Sequence, residues 1–88
     1  MEIWYDQAKQ GRNIEERGLS FDEVAHFDFS TALVRRDERK DYGEDRFIAL
    51  GMLGHRLHVV VFTRCPGGIR VISFRKANAR EVRHYETR

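Results

Sequence analysis

Leu57-His-Val-Val-Val-Phe-Thr-Arg64, Cys65-Pro-Gly-Gly68, Ile69-Arg-Val-Ile-Ser-Phe-Arg-Lys76: the reading of this stretch decides the fold. Two runs rich in β-branched and aromatic residues flank a turn-forming tetrapeptide, which predicts a β-hairpin. It is the most apolar part of the chain, yet it carries His58, Arg64, Arg70, Arg75 and Lys76. If Cys65–Gly68 is a four-residue loop, Arg64 pairs with Ile69, Phe62 with Val71, Val60 with Ser73, and His58 with Arg75. Side chains alternate along a strand. One face then gathers His58, Arg64, Ser73 and Arg75. The other, with Leu57, Val59, Val61, Ile72 and Phe74, makes the core layer, and Arg70 and Lys76 lie nearer its ends. A slip of one residue would scramble this grouping. Arg64 and Lys76 also suit a plainer role, snorkelling at strand ends. His58 opposite Arg75 is harder to explain without an anion between them, because like charges placed so destabilise a sheet.

Outward from the hairpin, Arg46 to Leu53 reads as a strand that turns at Gly54-His55, giving three antiparallel strands in a meander. Ala32 to Arg36 predicts another strand, and residues 2–5 a short edge strand with Ile3 and Tyr5 on one face. Trp4 reads as a packing residue on that strand. Asp6 caps a helix that ends at Gly18. Its apolar stripe is thin, so it is expected on the surface, with Asp6 and Lys9 as an i, i+3 pair. Ser20-Phe-Asp-Glu23 is a capping box for a second helix ending near Asp28, with Leu19 and Val24 as its staple. Residues 35–46 are nearly all charged and predict an exposed loop. Asn78-Ala-Arg-Glu81 opens a C-terminal helix, with Val82 and Tyr85 facing inward and Glu81 as its capping acid. The expected architecture is α+β: an antiparallel sheet of four to five strands, two N-terminal helices and a short C-terminal helix, in one domain spanning residues 1–88.

The 88 residues carry a formal net charge of +2, unevenly placed. Residues 1–63 hold nine Lys/Arg against twelve Asp/Glu; residues 64–88 hold seven against two. A basic face built by the last strand and the C-terminal segment would suit phosphate, although a solvated basic helix without a ligand has the same composition. The one cysteine, Cys65, cannot form an internal disulfide and fits a reducing cytosol. No run approaches the ~18 apolar residues of a membrane span, and the N-terminus has no signal-peptide pattern. A cytoplasmic protein is expected.

The chemistry open to such a chain is narrow. The four histidines and Cys65 form no metal-ligand motif, and no phosphate loop or nucleophile elbow is present. Neither metal nor cofactor is expected. Metal-free cleavage of RNA remains, in which the 2′-hydroxyl attacks the adjacent phosphate while arginines stabilise the transition-state charge. Proton exchange would fall to His58, Glu81 or Tyr85. Tyr85 at this spacing also suits a core position. A binding module that touches nucleic acid or a partner without cutting remains the alternative.

The residues also resemble a family, the BrnT toxins of bacterial type II toxin–antitoxin systems, a group considered similar to RelE-type ribonucleases. Trp4, Asp6, Lys9 and Asn13 match its N-terminal pattern. Gly18, Ser20, Phe21, Glu23 and Ala25 match its Gly-Val-Ser-Phe-Glu-Glu-Ala block, and Arg46, Phe47 and Gly51 its Arg-Phe…Gly strand. Val59 to Arg64, Ile69 to Arg75, then Ala77, Glu81 and Tyr85 match its C-terminal half. The resemblance implies a RelE-like fold and a metal-independent RNA endonuclease. It implies a BrnA-like antitoxin with a DNA-binding part as partner, in a heterotetramer. It implies a catalytic surface with Arg64 and Arg75, extended here to His58, Lys76, Glu81 and Tyr85. Arg70, Ser73, Lys9 and Arg80 are expected to bind substrate. One departure matters: family members often have Lys-His-Gly where this chain has Glu16-Arg17-Gly18, and arginine cannot exchange protons in a histidine's place.

Overall fold

In chain order the elements are β1 (Glu2–Tyr5), α1 (Gln7–Arg17), two 3-10 helices (Phe21–His26 and Phe29–Thr31), β2 (Leu33–Arg36), β3 (Arg46–Leu53), β4 (Arg56–Cys65), β5 (Gly68–Lys76) and α2 (Ala79–Glu86). They come from a computed structural model that describes all residues, Met1–Arg88. The strands form one five-stranded sheet in the order β1-β5-β4-β3-β2. The sheet is mixed rather than antiparallel throughout, because β1 runs parallel to β5, with Glu2 beside Gly68 and Tyr5 beside Val71. No helix is long and apolar enough to cross a membrane.

The hairpin follows the expected alternation only as far as Phe62. Strands β4 and β5 meet at Pro66-Gly67, where Gly67 takes a φ of 83° that favours glycine. The pairs Arg64–Ile69 and Phe62–Val71 form as expected. Ile72 is then skipped, and the ladder resumes with Val61–Ser73, Val60–Phe74, Val59–Arg75 and His58–Lys76. A bulge adds one residue to one strand and reverses the facing of everything beyond it relative to the simple count. The expected pairs Val60–Ser73 and His58–Arg75 are therefore absent. Arg75 leaves the face of Arg64, and Phe74 joins the face of Val71.

On β4, independently of the bulge, the faces are exchanged relative to the sequence reading: Val60 and Phe62 face the main core in place of Val59 and Val61, while Phe74 is core as expected. The main core lies on the face of Val60, Phe62, Ile69, Val71 and Phe74, packed on Phe21, Val24 and Phe27. The opposite face carries a smaller cluster of Leu50, Leu57, Val59, Ala77 and Tyr85 under α2, with Val82 alongside. Beyond α2 that second face is open.

Phe21, Val24 and Phe27 explain the second departure. They recur every third residue, and all three are buried. A 3-10 helix eclipses positions i and i+3, so it lays them in one row along the sheet, where an α-helix would fan them out. Ser20 accepts from the Asp22 amide rather than completing a capping box with Glu23, and the segment stays 3-10 instead of forming the expected α-helix. Gly51 permits the close approach: a Cβ there would sit 2.8 Å from the Phe27 ring and 2.9 Å from Ala32 Cβ.

Helix α1 starts at the Asp6 cap and ends at Gly18 in the left-handed conformation, as expected. Its thin apolar stripe is supplemented by two amides. Asn13, buried, donates to the Phe74 and Leu19 carbonyls at 2.9 Å each and accepts from the Phe74 amide at 3.4 Å. It thereby stands in for the strand neighbour that β5 lacks once β1 has ended. The Gln10 side chain accepts from the Phe21 amide at 2.7 Å, which ties the helix to the 3-10 segment.

Candidate functional site

The bulge sets Arg75 on the open face, opposite Val59. There its Nη1 and Nη2 donate to the two carboxylate oxygens of Glu81, both at 2.8 Å. Nη1 also donates to the Lys76 carbonyl. A guanidinium has five N–H groups, so Nε–H and one Nη2–H remain for a ligand. Glu81 is fixed from its own helix. It forms the capping box of α2 with Asn78, accepting from the Asn78 amide at 2.9 Å. The Arg75 guanidinium, then the Asn78 amide and more distant Arg35, hold the Glu81 carboxyl below the usual carboxylate range against the effect of burial. Glu81 in turn raises Arg75, while burial and the charge of Arg39 oppose it.

Beside this pair a cleft of about 560 Å³ opens between α2 and strands β2 to β4. Ile48, Leu50 and Val59 form its apolar floor, and Arg35, Arg80, Glu81 and His84 stand at its walls. Farther along the open face, Arg70 Nη2 donates to both oxygens of Glu44 at 2.6 and 2.7 Å, and Arg46 Nε donates to the same carboxylate at 3.2 Å. Arg70 and then Arg46 keep Glu44 below its ordinary pKa.

The charged loop between β2 and β3 is more ordered than its composition predicts. The Asp37 carboxylate is buried and accepts from Arg39 Nε at 2.8 Å, Arg39 Nη2 at 2.7 Å and the Tyr42 hydroxyl at 3.1 Å. The Arg46 guanidinium lies 4.2 Å from the centre of the Tyr42 ring. Asp37 thus fixes Arg39 near the open face. The Arg39 bonds, foremost, hold the Asp37 carboxyl far below its ordinary value. A depressed carboxyl pKa contributes stability that is complete above the unfolded value of about 4 and is lost as pH falls through the folded value. Thermal denaturation from pH 5 downward should therefore show stability falling below about pH 4, with a smaller loss in Asp37→Asn. Equal slopes in the two proteins would rule out this origin.

The expected site residues are divided by the sheet. Arg75, Glu81, Ser73, Arg70 and Arg80 belong to the open side. Arg64 is on the other face at the hairpin end, with its guanidinium 4.3 Å from the Phe47 ring centre. Six positions along β5 separate Ile69, its partner, from Arg75, or roughly 20 Å at ~3.3 Å per residue. One phosphate cannot bridge them. Lys76 pairs with His58, away from Arg75. His58 is buried against Phe74, its ring 5.3 Å away, and its Nδ1 donates to the Arg56 carbonyl at 2.8 Å. Tyr85 is a core residue whose hydroxyl donates to the Thr31 carbonyl at 3.1 Å. Lys9 and Ser73 line a separate small cleft at the β5 edge with Arg12 and Arg17.

Sequence reasoning missed Arg35, Arg39 and His84. A signal for His84 was present: it lies three residues after Glu81 and four after Arg80, hence on the same side of α2. For Arg35 the signal was alternation with Leu33 on a predicted strand.

A family model described as "Ribonuclease toxin, BrnT, of type II toxin-antitoxin system" matches residues 5–81. The chain belongs to the BrnT family. Its fold is similar to that of the Brucella abortus ribonuclease toxin BrnT, whose crystal structure aligns with a TM-score of 0.71 at 29% sequence identity, over 89% of this chain and 97% of the Brucella chain. No curated protein matches. The BrnT family read from the residues is thus upheld, together with its class, ribonuclease toxins of type II toxin–antitoxin systems. Membership in such a system implies an antitoxin partner.

Proposed function

We propose that residues 1–88 act as one cytoplasmic, RelE-like toxin domain that cuts RNA without a metal, by attack of a 2′-hydroxyl on the adjacent phosphate. A BrnA-like antitoxin with a DNA-binding part, assembled with it as a heterotetramer, would hold this activity in check. The observation that carries the reading is the Arg75–Glu81 fork on the open face of a BrnT-family sheet, beside Arg35 and Arg80. Guanidiniums in this density attract phosphate oxygens and repel a divalent cation. Arg75 keeps two free N–H groups for the oxygens of the pentavalent phosphorus, Glu81 orients it, Arg80 and Arg70 bind the flanking backbone, and Ser73 with Lys9 would meet a more distant part of the RNA at the β5 edge.

Incubation of the purified protein with RNA in EDTA tests this. The expected products end in 2′,3′-cyclic phosphate and 5′-hydroxyl. Cleavage only after added Mg²⁺, or 3′-hydroxyl ends, would overturn the mechanism. RNA or antitoxin binding without any cleavage would favour a non-catalytic module. Arg17 at the family's histidine position is the one observation on that side.

A further inference from the structure

The reaction needs a group that takes the 2′-hydroxyl proton, and each group expected for it is occupied. His58 is buried with Nδ1 bonded to Arg56. Both Glu81 oxygens are bonded to Arg75. The Tyr85 hydroxyl is bonded to Thr31 in the core. Among the other histidines, His26 belongs to the 3-10 helix that packs on the opposite face, and His55 to the β3–β4 turn. Only His84 lines the arginine cleft. It is exposed at the end of α2, so its ring nitrogens are open to a ligand.

The geometry points to His84 as the proton acceptor of the cleavage reaction, a role that rests on the reading above. Positions i and i+3 of a helix are neighbours at about 5–6 Å between Cβ atoms. His84 therefore stands one turn beyond Glu81, the residue that holds Arg75. A phosphate on the free N–H groups of Arg75 would extend its ribose along the cleft toward His84. The charged groups facing His84 are Arg35 from β2 and Arg80 and Glu81 from α2; strands β3 and β4 present only Ile48, Leu50 and Val59.

In the step, the neutral imidazole takes the 2′-hydroxyl proton as the O2′–P bond forms and the P–O5′ bond breaks. The departing 5′-oxygen takes a proton from water, and the imidazolium returns its own to solvent. One strand leaves with a 2′,3′-cyclic phosphate and the other with a 5′-hydroxyl, so atoms and charge balance.

The test compares wild type, His84→Ala, His84→Gln and, as control, His55→Gln, on one RNA oligonucleotide in EDTA across pH 5 to 9. Both His84 variants should cleave about 10²–10⁴-fold more slowly, with RNA affinity within threefold of wild type. The acidic limb of the pH–rate profile should disappear in both, and added imidazole should partly restore His84→Ala. His55→Gln should match wild type. His84 variants that cleave within threefold of wild type with an unchanged acidic limb would overturn the inference alone, as would a loss lying wholly in affinity. A wild type that cleaves no RNA would overturn the ribonuclease reading and this inference with it.

Discussion

Arg75→Ala is expected to cleave RNA about 10²–10³-fold more slowly than wild type and to lose growth arrest when expressed, while remaining folded. The size follows from the role. Two free N–H groups of a guanidinium held at both 2.8 Å contacts by Glu81 are already aimed before substrate arrives. Such preorganised donors act on charge that develops in the transition state. The folding cost should be small. The Arg75 and Glu81 side chains are 32% and 25% exposed, and partly solvated pairs contribute on the order of 0.2–1 kcal/mol. Arg75→Lys should recover little, because an ammonium restores charge but not the fork. Arg64→Ala is the informative contrast. Arg64 lies on the opposite face, against Phe47. Its loss should weaken RNA binding in a salt-dependent way, as the loss of about one phosphate contact does, and leave the single-turnover rate within tenfold. Single-turnover rates with circular dichroism on each variant decide the matter. Equal losses for both arginines would mean that the active face is assigned wrongly.

Phe74→Ala should be the most damaging core substitution, at about 3–5 kcal/mol. Phe74 is fully buried, lies beside His58 and borders the Asn13 bonds that replace a missing strand. A chain of this length has a total stability of about 4–13 kcal/mol at ~0.05–0.15 kcal/mol per residue, so much of it would be lost. Urea denaturation should show a large drop in midpoint. Val60 and Val61 refine the test, because these neighbours on β4 face opposite sides of the sheet. Val60 is fully buried and Val61 half-buried on the open face. Val60→Ala should cost clearly more than Val61→Ala; the reverse order would place the main core on the other face of the sheet.

That comparison also marks where the sequence was readable. The hairpin, the Asp6 and Gly18 ends of α1 and the Asn78–Glu81 capping box rest on local chemistry, and all appear; the loop is shorter than the expected Cys65–Gly68, because Cys65 pairs with Gly68 and leaves Pro66-Gly67 as the turn. The bulge does not follow from counting back from the turn. It leaves a trace, since the apolar residues of β5 shift phase from Ile69 and Val71 to Ile72 and Phe74. The three-residue recurrence of Phe21, Val24 and Phe27 was equally visible, but the capping signal at Ser20 favoured an α-helix. The parallel pairing of β1 and the burial of Asp37 depend on distant parts of the chain, so no local pattern reports them. Arg75, Glu81 and Arg80 were singled out by type, and the structure brings them to one side of the sheet. Their separation from Arg64 was not legible, because it depends on a single extra residue in β5.

The parallel pairing of β1 with β5 bears on how the chain is made. Glu2 to Tyr5 have no strand partner other than Gly68 to Val71, so β1 has nothing to pair with until β5 has been made. A nascent chain that stops before Gly68 has the beginning of the sheet and nothing to close it. Closure of a loop this long is slow relative to local contacts, so β1 is expected to join the sheet after the β3–β4–β5 meander has formed, and hydrogen exchange during refolding should protect β1 last.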